Sequence, residues 1–498
     1  MASHPHPEAT VPQRLRILLI SSEVEPFAKT GGLADVAGAL PKALAGLGHD
    51  VRVLMPKYRG VERHAGSLTP VIPRVQVPIA DRRAEGAWLE GRMGAGIPIY
   101  FLAQDQYYDR DALYGTSEGD YWDNCERFIF FCRAAVEGLK HLGWIPHVIH
   151  ANDWQTGLVP VYLETLYRDD PGLAKIATLF TVHNLAYQGV FWHYDVPMTG
   201  LGWDLFTPAG IEYYGKLNFL KGGLVFGDLL TTVSRTYARE IQTPEFGCGL
   251  EGVLLARSAA LHGVVNGIDY EVWNPSSDPA IPKGYTADDL KGKRASKAAL
   301  QEELGLAQEP VPLVGMVTRL VEQKGLTLVL DALPGLLAEG VQLALLGSGE
   351  PTLEQAFGAA AAKHAGRVAV RLGYDAGLAR RIYAGADCFL MPSRYEPCGL
   401  GQLISLRYGT IPLVRWTGGL ADTVKEFDPA KHAGTGFGFA PFTHQALLEC
   451  ARRALAVFRQ PRLWQRLMRN AMAEDFSWEA SAREYVSLYR KAVKAAAS

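Results

Sequence analysis

Cysteine is scarce in this chain. Six stand among 498 residues (Cys125, Cys132, Cys248, Cys388, Cys398, Cys450), with no C-x-x-C pair and no Cys/His cluster at zinc spacing. That scatter argues against a disulfide framework and fits a reducing cytosol, so a cytoplasmic location is expected. An excess of charge of either sign is missing as well. The formal net charge is −2, and no basic run supplies an electrostatic footprint for nucleic acid. No apolar stretch approaches the ~20 residues that would span a membrane. Residues 1–13, Met1 to Gln13, are polar, contain Pro and His, and read as a disordered tail, neither a signal nor a transit peptide. The familiar phosphate-binding sequences are absent too: no G-x-x-x-x-G-K-[ST] loop, no G-x-G-x-x-G after the first strand, no Asp-x-Asp metal pair at a strand end. If phosphate is handled, Arg, Lys and backbone amides must do it, with no obligatory metal and no cofactor.

What is present is a phrase written twice. Lys29-Thr30-Gly31-Gly32-Leu33-Ala34-Asp35-Val36 returns as Thr417-Gly418-Gly419-Leu420-Ala421-Asp422-Thr423-Val424. Each copy follows an apolar, strand-like run and opens an amphipathic segment. A Gly-Gly turn between strand and helix can aim backbone N–H groups at an anionic or polyhydroxyl ligand, although tight turns alone also call for glycine. One copy in each half suggests two similar domains. Length agrees, since a chain this long exceeds a single core and two domains of roughly 200–250 residues are the default.

Both halves alternate strand-like and helix-like segments. Leu15–Ser21, Asp50–Met55, Ile99–Ala103, His147–His150, Ala177–Val182 and Leu229–Ser234 read as strands of the first half. Val311–Leu320, Val341–Leu346, Val368–Gly373, Asp387–Pro392 and Ile411–Trp416 read as strands of the second. Buried β-branched runs separated by helices mark parallel, doubly wound sheets. Two Rossmann-like α/β domains facing across a cleft are expected, over residues 14–262 and 263–477. A helix over 478–498 is expected to cross back to the N-terminal domain.

In open α/β sheets, ligands sit at the carboxyl ends of strands. Polar residues cluster at five such places. His150-Ala151-Asn152-Asp153-Trp154 sets an indole beside a carboxylate, which suits a sugar ring. Thr181-Val182-His183-Asn184, with Tyr187 and Gln188, repeats the pattern at the next strand. Arg319 and Lys324 are cations suited to a diphosphate whose charge grows as it leaves. Gly347-Ser348-Gly349 is a weaker nucleotide-contact candidate. Pro392-Ser393-Arg394-Tyr395-Glu396-Pro397-Cys398-Gly399-Leu400 combines a carboxylate for sugar hydroxyls with glycine amides before a helix. Cys398 has no neighbouring His, so binding or packing suits it better than nucleophilic attack.

From Arg14 to about Tyr489 the chain resembles the bacterial glycogen synthases and plant starch synthases, retaining glycosyltransferases of the GT-B fold. The resemblance is carried by Lys29-Thr30-Gly31-Gly32-Leu33, His150 to Trp154, Thr181 to Asn184, Arg319 with Lys324, Glu396 to Leu400, and Thr417 to Leu420. It implies transfer of glucose from ADP-glucose to the non-reducing 4-hydroxyl of an α-1,4-glucan such as glycogen. Carried over by resemblance, the catalytic residues are His183, Arg319, Lys324, Glu396 and Asp153. Lys29, Gly31, Gly32, Asn266, Gly347, Ser348, Tyr374, Cys398, Gly399, Leu400, Gly401 and Thr417 would bind the donor, with Tyr374 stacking the adenine. Asp153, Trp154, Asn184 and Tyr187 would meet the acceptor. One departure is Gly401, where relatives often carry Thr. A nucleotide-sugar epimerase or hydrolase is the alternative on the same architecture, which fold alone does not separate. The cluster around Asp153 and Trp154 favours a transferase.

Overall fold

The computed structural model describes residues 11–496; the tail expected over 1–13 therefore falls outside the described residues except for its last three. The chain divides into two compact units. The first comprises the chain up to Val233, Ala238–Val264 and the segment from Trp478; the second comprises Ser234–Tyr237 and Val265–Ser477. Ser234–Tyr237 goes with the second unit because Asp422 grips it: its carboxylate accepts the Thr236 hydroxyl at 2.6 Å and the Thr236 N–H at 2.9 Å.

The first unit is built on strands β1 (Arg16–Ile20), β2 (Asp50–Pro56), β3 (Thr69–Ile79), β4 (Arg82–Met93), β5 (Ile97–Ala103), β6 (Val148–Asn152), β7 (Ala177–Val182), β8 (Leu229–Thr232) and β9 (Leu261–Gly263). They form one nine-stranded sheet in the order β9-β8-β7-β6-β1-β2-β5-β4-β3. Pairing is parallel from β9 to β5 and antiparallel only in β5-β4-β3. Helices cover the parallel strands, so Ile17 to Ile20 are wholly buried, which is why that run is apolar without alternation. The long β3–β4 hairpin escaped the sequence reading. Pro70, Pro73 and Pro78 interrupt β3 and charged residues stud β4, as suits strands buried on one face at a sheet end.

The helix Trp478–Ala496 packs in this unit along helix Gly32–Gly46 and β7. Ala482, Tyr485, Tyr489 and Ala492 are fully buried there. The anchor is polar: Tyr489 Oη lies 2.8 Å from His150 Nδ1, while His150 Nε2 meets Thr181 Oγ1 at 2.6 Å.

In the second unit, β10 (Leu313–Val317), β11 (Gln342–Gly347), β12 (Val368–Leu372), β13 (Cys388–Met391), β14 (Ile411–Arg415) and β15 (Phe437–Phe439) form an all-parallel sheet in the order β12-β11-β10-β13-β14-β15. Apolar clusters lie over both faces, one around Val329, Phe357 and Leu467, the other around Leu300, Ile382 and Leu403. β15 is too short to show a period, and the helix Lys291–Leu304 carries six charged residues among its fourteen and few large apolar ones; neither is legible in the sequence. Among the described residues, no helix is long and apolar enough to cross a membrane.

Among its parallel strands each sheet reverses strand order once, between β1 and β6 in the first unit and between β10 and β13 in the second. The carboxyl ends at such a reversal are where open α/β sheets hold ligands.

Candidate functional site

In the second unit the reversal point holds a pocket of about 230 Å³, lined by Thr318, Arg319, Lys324, Ser393, Glu396 and Gly399 to Gly401. β10 delivers Thr318 and Arg319, and β13 delivers Ser393 and the turn to Glu396. Residues from separate motifs thus become neighbours because their strands pair. Glu396 is 5% exposed, and a buried carboxylate needs partners. Lys324 Nζ spans both its oxygens at 2.9 and 2.7 Å, and the Ser393 hydroxyl donates at 2.8 Å. Arg319 is exposed at the rim of the same pocket. The two cations expected as a pair are therefore not equivalent: Lys324 already neutralises Glu396.

Cys398 is buried and its thiol is pushed up to about 12 by desolvation, a packed and inert sulfur rather than a nucleophile. Gly399 has φ +75, so the turn before helix Gly401–Arg407 requires glycine. At Gly401 a Cβ would stand 2.8 Å from the Phe389 ring and 3.3 Å from Met391 Sδ. Aromatic packing takes the space that Thr would occupy. Tyr374, after β12, is 87% exposed with its ring free to stack. Asn266 is buried, and its Oδ1 has no hydrogen-bond partner among the described residues, an acceptor suited to a ligand hydroxyl. Gly347 is demanded by packing: a Cβ would meet the Thr318 carbonyl at 1.8 Å. Ser348 beside it is exposed.

In the first unit the reversal point holds Glu23, Asp153, His183 and the Lys29–Gly32 loop. Asp153 has φ +56, a region costing ~1–3 kcal/mol for a residue with a side chain. Its Oδ1 accepts the His183 N–H at 2.7 Å. Burial, reinforced by the Glu23 charge, pushes the Asp153 carboxyl up to about 7. Burial holds His183 down at about 3, so the imidazole is neutral. Asn152 spends its amide on the Ile20 and His150 carbonyls and turns Oδ1 to His183 Nε2 at 3.0 Å. That arrangement sets the tautomer with the proton on Nε2. Asn184 Oδ1 accepts the Ala186 N–H at 3.1 Å, and Tyr187 is 56% exposed.

Three expectations need correction. The Trp154 indole is not an open stacking platform. It packs on Phe128, Phe191 and Phe219, and the Gly189 backbone covers its six-membered ring, where a Cβ would come within 2.3 Å. His150, which shares its motif, anchors the C-terminal helix and is fully buried. The Gly-Gly turns do not present all of their amides outward either, since one in each copy is taken by the protein itself. In the first copy, Glu23 accepts the Thr30 and Gly31 N–H groups. In the second, Thr417 is buried and the Gly419 N–H donates to the Glu396 carbonyl at 3.0 Å.

The two copies also differ in their surroundings. A Cβ at Gly31 or Gly32 would meet nothing within 4 Å, whereas at Gly418 (φ +45) it would lie 1.9 Å from the Glu396 carbonyl. Copy one leaves open space for a ligand, while copy two is the floor on which the Glu396 turn rests. Sequence reasoning missed Glu23, Tyr114 and the part Ser393 plays. Glu23 was findable, since it follows β1 at a strand carboxyl end. Among the described residues, no group of three or more His, Cys, Asp or Glu side chains is placed to hold a metal ion.

Two doubly wound units, each with polar groups at its reversal point, make up the GT-B architecture, whose chemistry the fold alone does not decide. Sucrose-phosphate synthase from Thermosynechococcus elongatus shares that fold at TM-score 0.58 and 20% identity, over 96% of this chain and 99% of that one. The starch synthase catalytic domain family matches residues 16–256, and glycosyl transferases group 1 matches residues 299–467. Glycogen synthase from Syntrophotalea carbinolica is 54% identical over 96% of this chain and 99% of its own length; that from Koribacter versatilis is 48% identical over 96% and 98%. The catalytic domain of starch synthase IV from Arabidopsis thaliana, solved bound to ADP and acarbose, superposes at TM-score 0.88 with 36% identity, covering 97% of this chain and 100% of that one. The chain belongs to the glycogen and starch synthase family.

Proposed function

We propose that this protein elongates glycogen by transferring glucose from ADP-glucose to the non-reducing 4-hydroxyl of an α-1,4-glucan, with retention of the α configuration. The observation that carries the reading is the Lys324–Glu396–Ser393 constellation beside Arg319, in a pocket at the strand reversal of the second unit. Glu396 orients the donor glucose through its hydroxyls. Arg319 takes the diphosphate charge that grows as the glycosidic bond breaks, and Lys324 adds to it from its seat on Glu396. Tyr374 stacks the adenine. Neutral His183 offers its backbone carbonyl to the oxocarbenium-like centre rather than a proton. Asp153 makes a poor nucleophile, being hydrogen-bonded to the His183 amide and half protonated near neutrality. Front-face attack, with the leaving phosphate accepting the acceptor's proton, therefore suits the residues better than a covalent intermediate.

The reaction needs no metal in this reading, because fixed cations do the neutralising. The six cysteines, all free, fit a cytoplasmic setting. The deciding experiment supplies labelled ADP-glucose and UDP-glucose in parallel to glycogen with EDTA present. Incorporation from ADP-glucose supports the reading. Preference for UDP-glucose overturns the base assignment. Loss of activity with EDTA overturns metal independence. Free or isomerised sugar without polymer growth would favour the hydrolase or epimerase alternative.

A further inference from the structure

Glu23 is a carboxylate that neither the repeated phrase nor the transfer chemistry accounts for. It follows β1 at the strand reversal, is 4% exposed, and no salt bridge neutralises it among the described residues. Four donors converge on it instead. Oε2 accepts the Thr30 N–H at 2.5 Å and the Gly31 N–H at 3.1 Å, while Oε1 accepts the Thr30 hydroxyl at 2.6 Å and the Tyr114 hydroxyl at 2.8 Å. Tyr114 is held in turn by the Ser22 hydroxyl at 2.7 Å. A buried carboxylate satisfied entirely by hydrogen bonds acts as a rigid template, since each lost donor leaves charge uncompensated.

We infer that Glu23 is a positioning residue that moulds the Lys29–Gly32 loop into its donor-binding shape. Three of its four donors belong to Thr30 and Gly31, the residues between Lys29 and the start of helix Gly32–Gly46. The carboxylate pulls those amides inward, and the open faces of Gly31 and Gly32 are left on the other side of the loop. The inference rests on the proposed reading in which that loop meets the nucleotide sugar. Charge on Glu23 is not required for the template. A glutamine amide keeps an oxygen for the two N–H groups, and its NH2 can donate to the Thr30 and Tyr114 hydroxyls, which then act as acceptors.

The test compares wild type, E23A and E23Q for initial rates with varied ADP-glucose at saturating glycogen, and the reverse. E23A is expected to raise KM for the nucleotide sugar at least tenfold, with KM for glycogen changed less than twofold. E23Q should return both within threefold of wild type. A purely structural role would lower active enzyme and kcat without separating the two KM values, and would overturn the inference. So would unchanged kinetics in E23A. Should E23A fail to fold, T30A, which removes one donor and leaves Glu23 in place, should raise the nucleotide-sugar KM about threefold without moving that for glycogen; no change would again overturn it. An inactive wild type would instead sink the proposed function.

Discussion

Replacing Lys324 by Ala leaves Glu396 buried with a single remaining side-chain donor among the described residues, Ser393 at 2.8 Å. The pair is largely shielded, with side-chain exposures of 17% for Lys324 and 7% for Glu396. Removing one partner of a buried pair costs about 3–5 kcal/mol, and the residual Ser393 bond and the adjoining pocket favour the lower end, about 3 kcal/mol. For a unit of this size that lowers its Tm by about 6–12 °C. The double variant K324A/E396Q removes the orphaned charge and should recover about 2 kcal/mol relative to K324A, a coupling readable in a double-mutant cycle. Activity should not recover, because both groups act on the donor. kcat for K324A should fall about 10²–10³-fold, the size seen when one fixed electrostatic partner of a developing charge is removed, with KM for glycogen nearly unchanged. Differential scanning calorimetry resolves the second unit's transition, and steady-state rates supply the rest. Stability of K324A within about 0.5 kcal/mol of wild type, additivity in the cycle, or equal losses in kcat and glucan KM would refute the reasoning.

Other expectations follow from single contacts. G418A should collapse activity by displacing the Glu396 carbonyl 1.9 Å from the new Cβ, whereas G31A, with nothing within 4 Å, should fold normally and lose donor affinity alone; circular dichroism with donor KM separates the two. Y489F removes the hydroxyl from fully buried His150 and should destabilise the first unit by about 1–3 kcal/mol, seen as a shift in its denaturant midpoint. Asp153 titrates at about 7 when folded against ~3.9 unfolded. Its raised value contributes stability that is complete below the unfolded pKa and is lost as pH rises through about 7. D153N should therefore gain on wild type between pH 5 and pH 8 by a few kcal/mol at most; a constant difference across that range would count against the assignment. His150, held at about 3 by burial, works the other way. Its contribution is present above ~6.5 and is lost as pH falls through the window down to about 3, so H150Q, which has no imidazole to protonate, should lose less stability than wild type on acidification, judged from midpoints at pH 7 and 4.5.

Much of this molecule was determined by sequence alone. Buried parallel strands announce themselves as apolar runs without alternation, and the carboxyl-end rule then picks out Asp153, His183, Arg319, Lys324 and Glu396 without any coordinates. Two doubly wound units follow from the same rhythm, while the GT-B assignment came from the family resemblance. What the sequence could not decide were matters of who stands beside whom. Lys324 and Glu396 lie far apart in the chain, and only the pairing of β10 with β13 makes them partners. The two copies of one phrase read alike, yet one faces open space and the other supports the Glu396 turn, because neighbouring backbone and not the glycine itself sets the role. Trp154 and His150 looked like ligand groups until aromatic packing and the returning C-terminal helix claimed them. Local sequence specifies backbone shape and polarity over a few residues. Burial, charge pairing and proton affinity depend on atoms brought in from elsewhere, so tertiary structure alone settles them.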